Sequence, residues 1–280
     1  MACLFLALLP ALAAAEEKIK GVDLELISEV TTVKAGQRFA VGLKIHHHDH
    51  YHTYWQKPGI VGVPTDLQWQ LPPGFTAGPI QWPYPEKVDM AGHPAHGYHR
   101  DVLLIVEIRP PEVIEAEEVT LTARAGWMAC AKQCHPGFAT FSLQLPVAER
   151  VKVNAKTRPL FRKSRGEIPA PVRHWDVTLE SAPDAAEIRL RIAPLPPHAR
   201  DPGGFYFYSS DGQVSSDQPQ DAERLDDGSY RLTMTRGEFG PKGAGRLPGV
   251  LSAARPFDGP HFAHALIDPP YPEKPAGQSP

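Results

Sequence analysis

The stretch Phe39-Ala40-Val41-Gly42-Leu43-Lys44-Ile45 sets large apolar residues at every second position. In an extended chain that spacing puts Phe39, Val41, Leu43 and Ile45 on one face, so the segment reads as a strand with one buried side. Upstream, Val22, Leu24 and Leu26 alternate with charged residues in the same way. Downstream the pattern returns at 67–71, 102–108, 119–125 and 138–145. No long amphipathic helical pattern competes with it. Between these runs lie many of the 31 prolines and 23 glycines of the chain. Proline breaks helices and both residues favour turns, so the expected class is all-β, an antiparallel β-sandwich.

Residues 148–171 change character. Glu149-Arg-Val-Lys-Val-Asn-Ala-Lys-Thr-Arg-Pro159 is charged, and Ile168-Pro-Ala-Pro171 is stiff. A short helix around 155–164 and a domain boundary are expected here. Strand patterns resume at 175–179, 187–193, 204–208, 229–235 and 247–253, with Asp211-Gly212 and Asp227-Gly228 as tight turns. The organisation that follows is a leader at 1–15, a first β domain at 16–150, a linker at 151–171, a second and smaller β-sandwich-like domain at 172–256, and a proline-rich tail at 257–280, extended or disordered.

Residues 1–15 hold a short apolar core ending in Ala-x-Ala, followed by Glu16-Glu17-Lys18. This is a secretory signal pattern, too short to span a bilayer. No later stretch has 18 consecutive apolar residues, so no membrane span is expected in the rest. Export implies a compartment in which disulfides persist. A formal charge of −3 and a pI near 6.5 leave no basic footprint for nucleic acid.

Of the three cysteines, Cys3 falls in the leader, which leaves Cys130 and Cys134 in Trp127-Met-Ala-Cys130-Ala-Lys-Gln-Cys134-His-Pro136. A bridge across so short a loop constrains the unfolded chain by about 2 kcal/mol or less. It is a poor staple and a better switch. Lys132 and a protonated His135 would each favour a thiolate. The alternatives are a plain surface disulfide or two buried thiols. Two sulfurs at this spacing make a poor zinc site.

A second constellation is His46-His-His-Asp-His-Tyr-His52, five histidines and an aspartate in seven residues. On a strand, His46, His48, His50 and His52 would share a face and could ligate copper or zinc. The competing reading is a solvated strand end. A third is aromatic: Tyr54-Trp55 and Trp82-Pro-Tyr84-Pro-Glu86. Loop aromatics most often plug the ends of a sandwich, and they can also roof a reactive sulfur. His93, His96 and His99 read as solvated loop histidines. No nucleophile elbow, phosphate loop or His-Glu-x-x-His occurs.

Taken in order, Tyr51-His-Thr-Tyr-Trp-Gln-Lys-Pro-Gly-Ile-Val-Gly-Val-Pro-Thr65, Trp69-Gln-Leu-Pro-Pro-Gly-Phe75, Ile80-Gln-Trp-Pro-Tyr-Pro85, Gly97-Tyr98 and Trp127-x-x-Cys130-x-x-x-Cys134-x-Pro136 resemble the periplasmic N-terminal domain of DsbD/ScsB-type thiol:disulfide interchange proteins. The resemblance runs from about 20 to 147, and the later Gly204-Phe-Tyr-Phe-Tyr208 and Leu247-Pro-Gly-Val250 resemble the region that follows in ScsB-like members. It implies an immunoglobulin-like sandwich in the periplasm, with Cys130 and Cys134 as the redox pair and no organic cofactor. It implies a cap at 82–88, including Trp82 and Tyr84, with Tyr54 beneath it and Trp127 and His135 as neighbours of the pair. Its partners would be a separate multi-span membrane thiol–disulfide donor and periplasmic thioredoxin-fold proteins. His135 stands where an apolar or aromatic residue is usual in that family. The competing class is a non-catalytic periplasmic module that binds copper through residues 46–52, and a third is an adaptor with an inert disulfide.

Overall fold

In the computed structural model, which describes residues 19–196, 201–259 and 262–272, period-two alternation becomes layered β structure. The first half carries β1 (Val22–Ser28), β2 (Val30–Thr32), β3 (Phe39–His47), β4 (Thr53–Gly59), β5 (Asp66–Gln70), β6 (Thr76–Gln81), β7 (Glu86–Met90), β8 (His93–Tyr98), β9 (Val102–Arg109), β10 (Glu118–Cys130), β11 (Cys134–Pro146) and β12 (Lys152–Val153). Sheet β1-β3-β9-β6 faces sheet β11-β10-β5, and β4-β8-β7 forms a third, small sheet. The two larger sheets make an immunoglobulin-like sandwich. Val41, Val106, Ile108, Val119 and Leu121 fill the space between them. Each comes from the apolar phase of its strand, which is why the alternation was legible. β11 is an edge of its sheet.

Helix α1 (Arg158–Glu167) begins later than the expected 155–164, because Pro159 sits in its first turn, where the missing N–H costs nothing. Its Phe161 packs with Ile27, Ala40, Leu103 and Ile105 on the outer face of the first sheet. Ser164 donates to Leu103 O at 2.7 Å. The segment expected to link two domains is therefore bound to the first, and β12 pairs with β2 as well.

The second half carries β13 (Ala170–Pro171), β14 (Trp175–Leu179), β15 (Glu187–Pro194), β16 (Phe205–Ser209), β17 (Asp221–Arg224), β18 (Tyr230–Thr235), β19 (Gly249–Ala253) and β20 (His264–Ile267). Sheets β13-β20-β19-β16 and β14-β15-β18-β17 enclose Trp175, Leu190, Phe207, Leu232 and Phe257. The expected tail at 257–280 is corrected here. Phe257 and Tyr271 are buried and β20 pairs along β19, so the second core extends to residue 271. Proline richness hid a strand of only four residues. Residues 273–280 and the leader at 1–15 lie outside the described residues. Among the described residues no helix is long and apolar enough to cross a membrane.

The two halves share packing. Tyr208 and Val250 of the second half join Trp55, Tyr98, Trp127 and Leu104 of the first in one apolar cluster. Leu121 is fully buried in the central strand of its sheet, whereas Thr120 beside it is exposed. Leu121→Ala should lower the unfolding free energy in urea by about 3 kcal/mol. Thr120→Ala should stay within about 0.5 kcal/mol in the same titration.

Candidate functional site

Strands β10 and β11 pair without a break from Glu118↔Pro146 to Cys130↔Cys134. The two cysteines are thus the last rung of the ladder, and their sulfurs are joined in a disulfide around the turn Ala131-Lys132-Gln133. Cys130 is fully buried and Cys134 is half-buried. The end of β10 is held from the other side by His52. The His52 N–H donates to Cys130 O at 2.9 Å, and the Cys130 N–H donates to His52 O at 2.9 Å.

That bridge aims the next side chains. His52 and Tyr54 are two residues apart and share a face. The Nε2 of His52 lies 3.3 Å from the Tyr54 hydroxyl, which lies 4.0 Å from Cys134 Sγ. Tyr54 is only 1% exposed. Gly62 lies against its ring. With φ at +98°, and with space such that a Cβ would fall 2.3 Å from the ring, only glycine fits there. Burial pushes the Tyr54 hydroxyl up to about 12, so it keeps its proton and can donate to a sulfur anion. Burial, assisted by His99, pulls His52 down to about 4 and keeps it neutral.

The cover over the sulfurs comes from the β7–β8 hairpin. Cys130 packs with Tyr54, Val88 and Ala95, and Val61, Met90, Met128 and Cys134 adjoin them. Of the 82–88 segment expected as cap, Val88 lies in this cluster, while Trp82 and Tyr84 pack in the cluster shared with the second half. The Tyr84 ring stacks on His264 with centres 3.7 Å apart, and the Arg100 guanidinium carbon lies 4.2 Å from the centre of the Tyr84 ring. Trp127 is buried with its indole over Gly137, its cross-strand partner. The His135 ring lies 6.1 Å from that of Tyr51. A signal for the hairpin was present in Glu86-Lys-Val88-Asp-Met90 and the turn Ala91-Gly92, where both residues have positive φ. Two apolar residues are too few to stand out against the prolines around them.

Beside the pair, Val63, Trp127, Met128, Pro136 and Phe138 line a groove of about 210 Å³. Phe138 is 66% exposed and Val63 51%, so this wall of the site is apolar and open.

The histidine run does not form the single face expected of a strand. β3 ends at His47, and His50 takes a left-handed turn conformation with φ at +67°. His46 pairs with Asp101 at 2.9 Å and His48 with Asp23 at 3.1 Å, while His52 turns inward to Tyr54. Among the described residues no group of three or more His, Cys, Asp or Glu side chains is placed to hold a metal ion. The expectation that His93, His96 and His99 are all solvated is corrected for His96. It is buried on β8, because Tyr206 and Tyr208 of the second half pack against its ring.

Residues 25–146 match the family model described as thiol:disulfide interchange protein DsbD, N-terminal. No curated protein matches the chain. The N-terminal periplasmic domain of ScsB from Proteus mirabilis superposes with a TM-score of 0.64 at 14% identity, over 92% of this chain and 96% of that one. A chimeric titin Z1Z2 aligns with a TM-score of 0.20 at 12% identity, over 90% of this chain and 97% of that one. The human desmocollin-1 ectodomain aligns with a TM-score of 0.22 at 11% identity, over 92% of this chain and 38% of that one. Scores of that size carry no argument. The ScsB match shows a shared fold across both halves.

Four imidazoles, His47, His52, His96 and His264, are held down to about 4 from 6.5, each chiefly by burial. The unfolded chain takes up protons at the ordinary value. Stability from keeping these rings neutral is therefore complete above about pH 6.5 and is lost as pH falls toward 4. The urea midpoint should fall steadily from pH 7.5 to pH 5, and a flat profile would contradict the burial of these rings.

Proposed function

We propose that the protein, whose residues 25–146 match the DsbD N-terminal family model, is a periplasmic thiol–disulfide exchange module working through Cys130 and Cys134. The observation that carries this reading is the asymmetry of the pair. One sulfur is sealed in the core, and the other is half-exposed beside a buried tyrosine hydroxyl 4.0 Å away. A staple needs no such difference. A switch does, because one sulfur must meet a partner while the other waits.

In the reduced form, the Cys134 thiolate attacks one sulfur of a partner's disulfide. The partner's other sulfur leaves as a thiolate and takes up a proton. The resulting mixed disulfide joins Cys134 to the partner. Cys130, after losing its proton, attacks Cys134 Sγ and expels the partner's first sulfur as a second thiolate. Two electrons and two protons pass to the partner, and the disulfide seen here is the product. The Tyr54 O–H donates to the Cys134 sulfur as negative charge builds on it, and His52 Nε2–H can donate in turn to the tyrosine oxygen.

The partners in this reading are a separate multi-span membrane protein that restores the dithiol and thioredoxin-fold proteins that receive the electrons. The apolar groove of Val63, Met128, Pro136 and Phe138 supports a protein partner over a small thiol. Arg124 and Asp66 at its margin add a charged rim of the kind protein interfaces carry around an apolar centre.

The test is trapping. Cys130→Ala should accumulate a mixed disulfide through Cys134, detected by mass, with a thioredoxin-fold protein that lacks its resolving cysteine and whose remaining cysteine is supplied as a thionitrobenzoate mixed disulfide, the thionitrobenzoate anion leaving as the new bond forms. Cys134→Ala should accumulate it at least about tenfold more slowly. Equal trapping by both, or by neither, removes the proposed assignment. In the Cys130→Ala background, Tyr54→Phe should raise the pKa of the Cys134 thiol by about one unit, worth about 1.4 kcal/mol, in a titration of thiolate absorbance.

A further inference from the structure

The β7–β8 hairpin has two faces, and its register assigns them. Val88 pairs with Ala95 and Lys87 with His96. Successive residues of a strand point to opposite sides, so the first pair faces one way and the second the other. Val88 and Ala95 pack on Cys130 and Tyr54. On the reverse face, His96 Nε2 lies 3.1 Å from the Tyr206 hydroxyl, and Lys87 Nζ lies 3.7 Å from the centre of the Tyr206 ring. The His96 ring also meets the Tyr208 ring edge-on at 4.8 Å. Tyr206 and Tyr208 belong to β16 of the second half.

A further contact ties in the other covering segment. Ser216 donates from its hydroxyl to Pro94 O at 3.0 Å and accepts from the Ile60 N–H at 3.1 Å. Pro94 is on the hairpin. Ile60 opens the loop whose Gly62 lies on the Tyr54 ring. Both segments that enclose the sulfurs are thus gripped from behind by the second half. Gly59 allows this approach, since a Cβ there would fall 2.0 Å from Ser216 Oγ.

We propose that the second β domain sets the cover over Cys130 and Cys134, and that Tyr206 is the positioning residue through which it does so. The proposal rests on the exchange reading above. Tyr206 touches neither sulfur. It holds His96 and Lys87, whose strand partners and neighbours bury the sulfurs. When this grip is intact the hairpin lies flat on the pair and small thiols are kept out. When a partner displaces the hairpin, the grip resists and returns it. Domain adhesion alone would make Tyr206 matter for overall stability. Positioning makes it matter for the hairpin and for the reactivity of the disulfide.

The experiment uses the full protein with Tyr206→Ala, Tyr206→Phe and Ser216→Ala. Two quantities are read at neutral pH: hydrogen exchange of the amides of 86–98, and the rate at which dithiothreitol reduces the pair. In that reaction the reagent's two thiols are oxidised to a cyclic disulfide, while the protein disulfide gains two electrons and two protons. Tyr206→Ala should speed exchange in the hairpin by about tenfold, with the β10–β11 ladder unchanged, and reduction by about fivefold or more. Tyr206→Phe keeps the ring under Lys87 but loses the bond to His96, so its effect should be intermediate. Ser216→Ala should act in the same direction and serves if Tyr206→Ala fails to fold. Unchanged exchange and reduction in the variants that fold overturn the role of Tyr206 alone, leaving the exchange reading in place. A pair that dithiothreitol reduces in no variant overturns both.

Discussion

The register of β10 against β11 is the constraint on which the rest of the site depends. It runs unbroken for the length of both strands, and its final rung is Cys130 opposite Cys134. Because the ladder is antiparallel and one face is buried, a slip of one residue would turn Val119, Leu121, Ala123 and Ala125 out to solvent. The core therefore fixes where the cysteines stand. The sulfurs are placed by apolar side chains up to a dozen residues away, and the disulfide only records that placement.

The short bridge between His52 and Cys130 carries this position across to β4. Two backbone hydrogen bonds suffice to bring the Tyr54 hydroxyl near Cys134, since the alternation of β4 does the aiming. Every polar group in this line is neutral as built, the tyrosine held protonated and the histidine unprotonated by burial. A neutral, preorganised donor adjacent to a sulfur favours the anion there without placing a full charge in the core.

Much of this was legible in the residues, and the reasons differ by element. β3, β10 and β14 set their large apolar residues at every second position because one face of each packs on a core, whereas β9 is a near-continuous apolar run because α1 covers its second face. β6 and β8 are interrupted by Gly and Pro, and β7 and β8 belong to a small sheet, so period-two patterning barely arises. β20 was missed for the same reason, with prolines on either side of four residues. The cysteines could be found from spacing alone. The inward turn of His52 could not, since five histidines within seven residues look alike until the chain bends after His47. The burial of His96 depends on contacts from residues more than a hundred positions away. No local pattern carries that information.

β11 also bears on how the molecule keeps company with itself. It is an edge strand beside an open apolar wall, and such an edge invites another copy to add on, strand after strand. Pro136 and Pro146, near its two ends, bring no N–H to a ladder. Between them the exposed positions are Phe138, Thr140, Ser142 and Gln144, of which only the first is apolar. The invitation is thus confined to the end next to the disulfide. Along the remainder, polar side chains and a closing proline discourage the stacking of further strands, which keeps this edge from seeding fibres.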